Sequence, residues 1–217
     1  MAGAARIEQT LGLAWMSDAA DPGRPGAPDE PLRLLLGKAK AGDLAAFEQL
    51  IVAHERRVFQ TALRLLRNVE DAQDAAQEVF LRLHKHLGRY DEERGFQGWL
   101  YRIVLNVCRD LNQRRGKHLA VPLEDAVTPM AGSESAGGAK SPFEIASLEQ
   151  QRRLIADSLS ELSGKERAAL VLRDLEGLST AEVAAILGSS EATVRSQIST
   201  ARLKIKKFRD RRLRRTK

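Results

Sequence analysis

The sequence predicts an all-α protein: two small helical domains, an N-terminal helical bundle and a C-terminal helix-turn-helix domain, joined by a flexible linker. Three observations predict it. Apolar residues recur at helical spacing from Leu32 to Gly116 and again from about Phe143 to Phe208. No stretch shows the β-branched alternation of a strand, and aromatic residues make up only 5% of the chain. Between the two blocks, Ala131-Gly-Ser-Glu-Ser-Ala-Gly-Gly-Ala-Lys-Ser-Pro142 has the composition of a tether. The expected division is a disordered leader over 1–30, a first domain over 31–118, a linker over 119–142 and a second domain over 143–217. With 217 residues, 43% of them hydrophobic, the chain can fill two small cores.

The leader contains Asp21-Pro-Gly-Arg-Pro-Gly-Ala-Pro28 and has no periodicity. Asp43 is placed to cap a helix whose apolar stripe is Leu44, Phe47, Leu50, Ile51, Val58, Ala62 and Leu65. Asp71 opens the next, with Ala72, Ala75, Ala76, Val79, Phe80, Leu83 and Leu87 on one face. A third helix runs from about Phe96 to Gln113, with Trp99, Ile103, Val107 and Leu111 four apart. In the C-terminal block Ser163 and Glu166 form a capping-box pair. Ser179 or Thr180 caps a short helix that stops at Gly188. Ser189 and Ser190 can cap a long helix with Val194, Ile198, Ala201 and Ile205 facing inward. A short helix, a glycine turn and a long helix, with small Ala184 at the crossing, form a helix-turn-helix.

Composition narrows the function. The single cysteine, Cys108, rules out an internal disulfide framework and fits a reducing cytoplasm. No apolar run approaches the roughly 20 residues of a membrane-spanning helix, and the N-terminus does not read as a signal peptide. His54, His84, His86 and His118 are scattered, so no metal or cofactor is expected. A Gly-rich phosphate loop and a nucleophile–base pair are also missing, which argues against an enzyme. Net charge is +6. From Arg202 to Lys217 there are ten Lys/Arg and one Asp, a net of +9, which leaves −3 for the rest. Such asymmetry favours a nucleic-acid partner.

Three surfaces carry the chemistry. The N-terminal turns of the last helix would enter the major groove. There they present Ser190, Glu191, Thr193, Arg195, Ser196 and Ser199. Arg195 fits either a guanine edge or a phosphate. On the third helix Arg102, Asn106, Arg109 and Gln113 share a polar face, extended by Arg114, Arg115 and Lys117. Beside it stand Tyr90, Phe96, Trp99 and Tyr101, a combination suited to single-stranded nucleic acid. Asp71, Asp74 and Glu78 form an acidic edge, read either as helix-dipole stabilisation or as a docking edge for a basic helix.

These motifs resemble bacterial RNA polymerase sigma factors of the extracytoplasmic-function group. Asp71-Ala-Gln-Asp-Ala-Ala-Gln-Glu-Val-Phe-Leu81 is similar to the segment with which that family docks on the β′ clamp helices of core polymerase. Phe96-Gln-Gly-Trp-Leu-Tyr-Arg-Ile-Val-Leu-Asn106, with the basic stretch to Arg115, resembles the part that opens the minus-ten element. Leu162 to Lys207 resembles the domain that reads the minus-thirty-five element and sits on the β flap. The resemblance implies core contacts at Asp71, Asp74, Gln77 and Glu78. For the minus-ten element it implies Tyr90, Phe96, Arg102, Asn106, Arg109, Asp110, Gln113, Arg114 and Arg115. For the minus-thirty-five element it adds Gln197, Thr200 and Arg202 to Ser190, Glu191, Thr193, Arg195, Ser196 and Ser199. The family often carries a base where Gln197 and Thr200 stand. Expected partners are core RNA polymerase, promoter DNA and an anti-sigma factor, with no membrane insertion. A helix-turn-helix regulator of the LuxR type accounts for 162–208 alone; a nucleic-acid-processing enzyme is the more distant alternative.

Overall fold

In a computed structural model of the chain, which describes residues 30–91, 95–118 and 153–215, the first helix, α1 (Glu30–Lys40), starts with Glu30 and Pro31. Proline suits a first turn, where its missing N–H has no helical partner to lose. The leader before Glu30 and the linker over 119–142 lie outside the described residues. Helix α1 buries Leu36 and Ala39. It was not among the individually capped helices expected from the sequence, and it adds a fourth wall to the N-terminal bundle.

Asp43 caps α2 (Leu44–Leu66) as expected, its Oδ1 accepting from the Ala46 N–H at 3.1 Å. Phe47, Leu50, Val58, Ala62 and Leu65 are buried. Leu44 is not: it is 71% exposed, because it stands at the helix start outside the interhelical seam, where Ala46 is buried instead. Helix α3 (Val69–His86) is capped by Asn68, whose side chain accepts from the Asp71 N–H at 2.9 Å. Asp71, expected to open this helix, is therefore its third residue, where a carboxylate meets the positive end of the dipole. Its stripe of Ala72, Ala75, Val79 and Leu83 is buried. A 3-10 turn (Leu87–Arg89) leads to Tyr90, and α4 (Phe96–His118) completes the bundle.

The buried face of α4 is turned relative to the expected stripe. Leu100, Tyr101, Val104, Leu105, Val107 and Cys108 are buried, while Trp99, Ile103 and Leu111 are only partly covered. The cause is tertiary: α4 packs on α2 and α3 and also receives a helix of the C-terminal unit. Burial pushes the Cys108 thiol up to about 12, so it stands protonated and unreactive in the folded chain.

The C-terminal unit begins with a helix over 153–160, here α5. It continues with α6 (Gly164–Leu170), a π-helical turn (Val171–Leu175), α7 (Thr180–Leu187) and α8 (Glu191–Arg215). Ser163 and Ser179 each head a complete capping box, with Glu166 and Glu182 reaching back to their N–H groups at 2.9 and 2.8 Å. Gly188 closes α7 at φ 63°, a left-handed conformation that side chains resist. The Ser190 hydroxyl accepts from the Thr193 N–H at 3.1 Å and caps α8. Val194, Ile198, Ala201 and Ile205 all face inward, and α6 and α7 pack against them. Buried apolar residues of both units belong to one contiguous cluster.

Candidate nucleic-acid interface

The helical phase of α3 that buries Ala72, Ala75 and Val79 turns Asp74 and Gln77 fully outward and leaves Asp71 and Glu78 half-buried. The four docking candidates therefore lie along one accessible edge. One turn on, Leu81 is 67% exposed. It follows Gln77 by four residues and extends the edge with an apolar contact, which the sequence reading missed because an isolated surface leucine carries no signal.

Glu78 also has a partner inside the chain. The Arg82 Nε donates to Glu78 Oε1 at 2.7 Å, and its Nη1 donates to Asp110 Oδ2 on α4 at 2.9 Å. These hydrogen bonds, first with Glu78 and then with Asp110, hold the Arg82 guanidinium even more firmly protonated than usual. Arg82 thus ties the acidic edge to the polar helix face. It was not expected from the sequence, since the bond to Asp110 spans 28 positions.

On α4, Arg102, Asn106, Arg109, Gln113 and Arg114 are exposed on the side away from the core, and Asp110 is half-buried beside them. The side chain of Arg115 lies outside the described residues. Tyr90 and Phe96 are buried, at 3% and 2% exposure. They form an aromatic cluster with Trp99: ring centroids lie 5.8 Å apart for Tyr90–Phe96 and 5.1 Å for Tyr90–Trp99. Here the two rings support the ends of the 90–96 loop rather than offer open stacking faces. Residues 92–94, within that loop, lie outside the described residues.

The entry to α8 is exposed. Ser190, Glu191, Thr193, Arg195, Ser196, Ser199 and Thr200 all face solvent. Arg195 donates to Glu191 Oε2 at 2.6 Å across one helical turn, an exposed pair that fixes little energy. Gln197 is half-buried, with its Oε1 turned inward. Arg202 forms a two-pronged pair with Asp174, at 3.1 and 2.9 Å, and the Asp174 side chain is only 3% exposed. Lys204 likewise donates to both oxygens of Glu166, at 3.0 and 2.8 Å, and holds that carboxyl below the usual carboxylate range. Arg202 and Lys204, two cations expected to track DNA phosphates, are therefore committed to holding α8 against α6 and the turn that follows it.

Two segments of the chain match family models: residues 50–118 match sigma-70 region 2, and residues 152–205 match sigma-70 region 4. The chain is similar to the ECF RNA polymerase sigma factor SigM of Mycobacterium tuberculosis, 36% identical over 171 residues that cover 79% of this chain and 81% of that protein. The ECF RNA polymerase sigma-E factor of Escherichia coli is 30% identical over 174 residues, 78% of this chain and 90% of that protein. Among solved structures, CnrH in complex with the cytosolic domain of CnrY superposes with a TM-score of 0.60 at 28% identity, covering 82% of this chain and 96% of that one. The sigma factor RpoE of Bartonella quintana, bound to the anti-sigma factor NepR, gives the same TM-score of 0.60 at 21% identity, covers 75% of this chain and 95% of that one, and shows a shared fold. Both regions stand in one chain, in order, on helices whose outward faces are polar, and the chain belongs to the extracytoplasmic-function group of sigma-70 RNA polymerase sigma factors, proteins that bind core RNA polymerase and direct promoter-specific transcription initiation.

Proposed function

We propose that the two units divide promoter recognition between them. Asp71, Asp74, Gln77 and Glu78, with Leu81 beside them, dock on the β′ clamp helices of core polymerase. The outward face of α4, with Arg102, Asn106, Arg109, Asp110, Gln113, Arg114 and Arg115, receives the minus-ten strand as it unpairs. Cations there follow phosphates, and the loop between Tyr90 and Phe96 accepts an unstacked base. Unstacking costs a few kcal/mol per flipped base, which those contacts offset. Helix α8 enters the major groove of the minus-thirty-five element through Ser190, Glu191, Thr193, Arg195, Ser196, Ser199 and Thr200, and its unit sits on the β flap. Gln197 and Arg202 act from the margin of that surface, behind Arg195.

The observation that carries this reading is the coincidence of exposure with role. The docking edge, the α4 face and the entry of α8 are the polar surfaces their helices turn away from the core. The chain itself catalyses nothing in this account; the polymerase makes the RNA. It works in the cytoplasm, and among the described residues no helix is long and apolar enough to cross a membrane. An inhibitory protein partner is expected by analogy with the anti-sigma complex of the Bartonella relative.

Run-off transcription with core polymerase on genomic fragments tests the reading. Transcripts that depend on added chain are expected from a defined subset of fragments, and their absence from every fragment overturns it. Arg195→Ala is expected to lower discrimination between cognate and altered minus-thirty-five sequences by about 1–3 kcal/mol, read from competition binding of the holoenzyme. Equal loss on all sequences makes Arg195 a phosphate contact instead.

A further inference from the structure

Glu176 ends the π-helical turn of the C-terminal unit, and its side chain is 1% exposed. A buried carboxylate is tolerated only where charges and donors surround it. The side chains that hold it come from the N-terminal unit. Its Oε2 accepts from Arg57 Nε at 2.9 Å and from the Tyr101 hydroxyl at 2.5 Å. Its Oε1 accepts from the Thr61 hydroxyl at 2.6 Å and from Arg64 Nη1 at 3.1 Å. Arg57 Nη2 also donates to the Glu176 carbonyl at 2.9 Å. Burial and the adjacent carboxylate keep the Tyr101 hydroxyl protonated and a donor. Four side chains on two helices converge on one acceptor from the other unit, which is a receptor shaped for a carboxylate.

The same closure lays α7 on α4. Arg102 Nη2 donates to the Ala185 carbonyl at 3.2 Å. A Glu182 carboxylate oxygen stands 3.5 Å from where a side chain on Gly98 would begin. One cation of the α4 face is thus occupied, and a negative charge is set over the first turn of that helix, where it repels a phosphate. The hub is charged, and the Arg57 side chain remains 48% exposed, so salt and competing charges reach it.

We infer that Glu176 is an intramolecular clasp. In the free chain it seats the C-terminal unit in the Arg57, Thr61, Arg64 and Tyr101 receptor, and this closed form withholds the α4 face from single-stranded DNA until the clasp releases. The gating half rests on the strand-opening reading of α4; the clasp itself does not.

Fluorescence transfer between dyes at Lys38→Cys and Lys165→Cys, one in each unit, reads the closed state in the full-length chain; both native residues are exposed, and buried Cys108 stays unlabelled. High transfer is expected for the parent. Glu176→Gln and Arg57→Glu, one change in each unit, are each expected to lower the closed-to-open ratio by about tenfold or more. Retained helicity and continued protection of Cys108 from thiol reagents show that the units stay folded. Unchanged transfer in both variants, or a parent that already transfers at their level, overturns the clasp. Opened variants are also expected to bind a fluorescein-labelled, mixed-sequence single-stranded DNA more tightly, by up to the factor they gain in open population. Opening without tighter binding overturns the gating. Failure of the strand-opening reading shows differently: Arg109→Ala in an opened variant then leaves DNA binding unchanged.

Discussion

Reversing Asp74 and Glu78 together to Lys is expected to lower the affinity for core RNA polymerase about a hundredfold or more while the helix content stays that of the parent. Asp74 is fully exposed and Glu78 is 44% exposed, so neither change empties the core. Close charge pairs at protein interfaces couple by about 1.5–7 kcal/mol. Taking the low end for each of two acids gives roughly 3 kcal/mol, or about two orders of magnitude. Glu78 already shares Arg82 with Asp110, so part of its field is spent inside the chain. Asp74→Lys alone is therefore expected to carry the larger share. The folded state loses the exposed Glu78–Arg82 pair and gains a nearby like charge, a cost of about 1 kcal/mol. Titration of labelled chain with core polymerase, beside a thermal melt of the chain alone, separates the two effects. Unchanged affinity in the double variant removes the docking assignment.

The second large effect is on stability. Leu172→Ala is expected to cost about 2–5 kcal/mol and to lower the Tm by about 5–15 °C. Leu172 is fully buried in the π-helical turn, and its carbonyl accepts the Leu178 N–H at 3.1 Å. Truncation opens a cavity under the segment that leads from α6 to α7, in a unit too small to redistribute the loss. Because buried residues of both units form one contiguous cluster, a single transition at lower temperature is the expected form of the melt. Calorimetry or far-UV dichroism reads it. A shift under about 2 °C would mean that the site collapses around the smaller side chain.

Much of the C-terminal unit was legible in the sequence because its signals are local. Ser163 and Ser179 with their glutamates, Gly188 and the Val194-to-Ile205 stripe each act within one or two turns. Local rules hold there whatever the rest of the chain does. In the N-terminal unit the same rules misplaced details decided elsewhere. Leu44 matched the stripe by spacing but begins its helix beyond the seam, and Asn68 took the cap expected from Asp71. The face of α4 turned because α7 packs on it, which no periodicity within α4 encodes. Of the candidate site, the outward residues of α3, α4 and α8 were readable as faces opposite apolar stripes. Arg202 was not, since its carboxylate partner lies 28 positions away. Glu176 was least readable, with hydrogen-bond partners 75 to 119 positions distant.

The π-helical turn has a consequence for tolerated changes of chain length. The Glu176 N–H reaches back five residues, to the Val171 carbonyl at 3.0 Å, instead of the four of an ordinary helix. That widened loop of backbone carries one residue more than a regular turn needs. Deleting any one of residues 172 to 175 would let the segment rewind to normal pitch and swing whatever follows by about 100° around the axis. The acid would still be spelled out in the sequence yet point away from Arg57 and Tyr101, so comparisons between relatives at this spot must count spacing as well as identity.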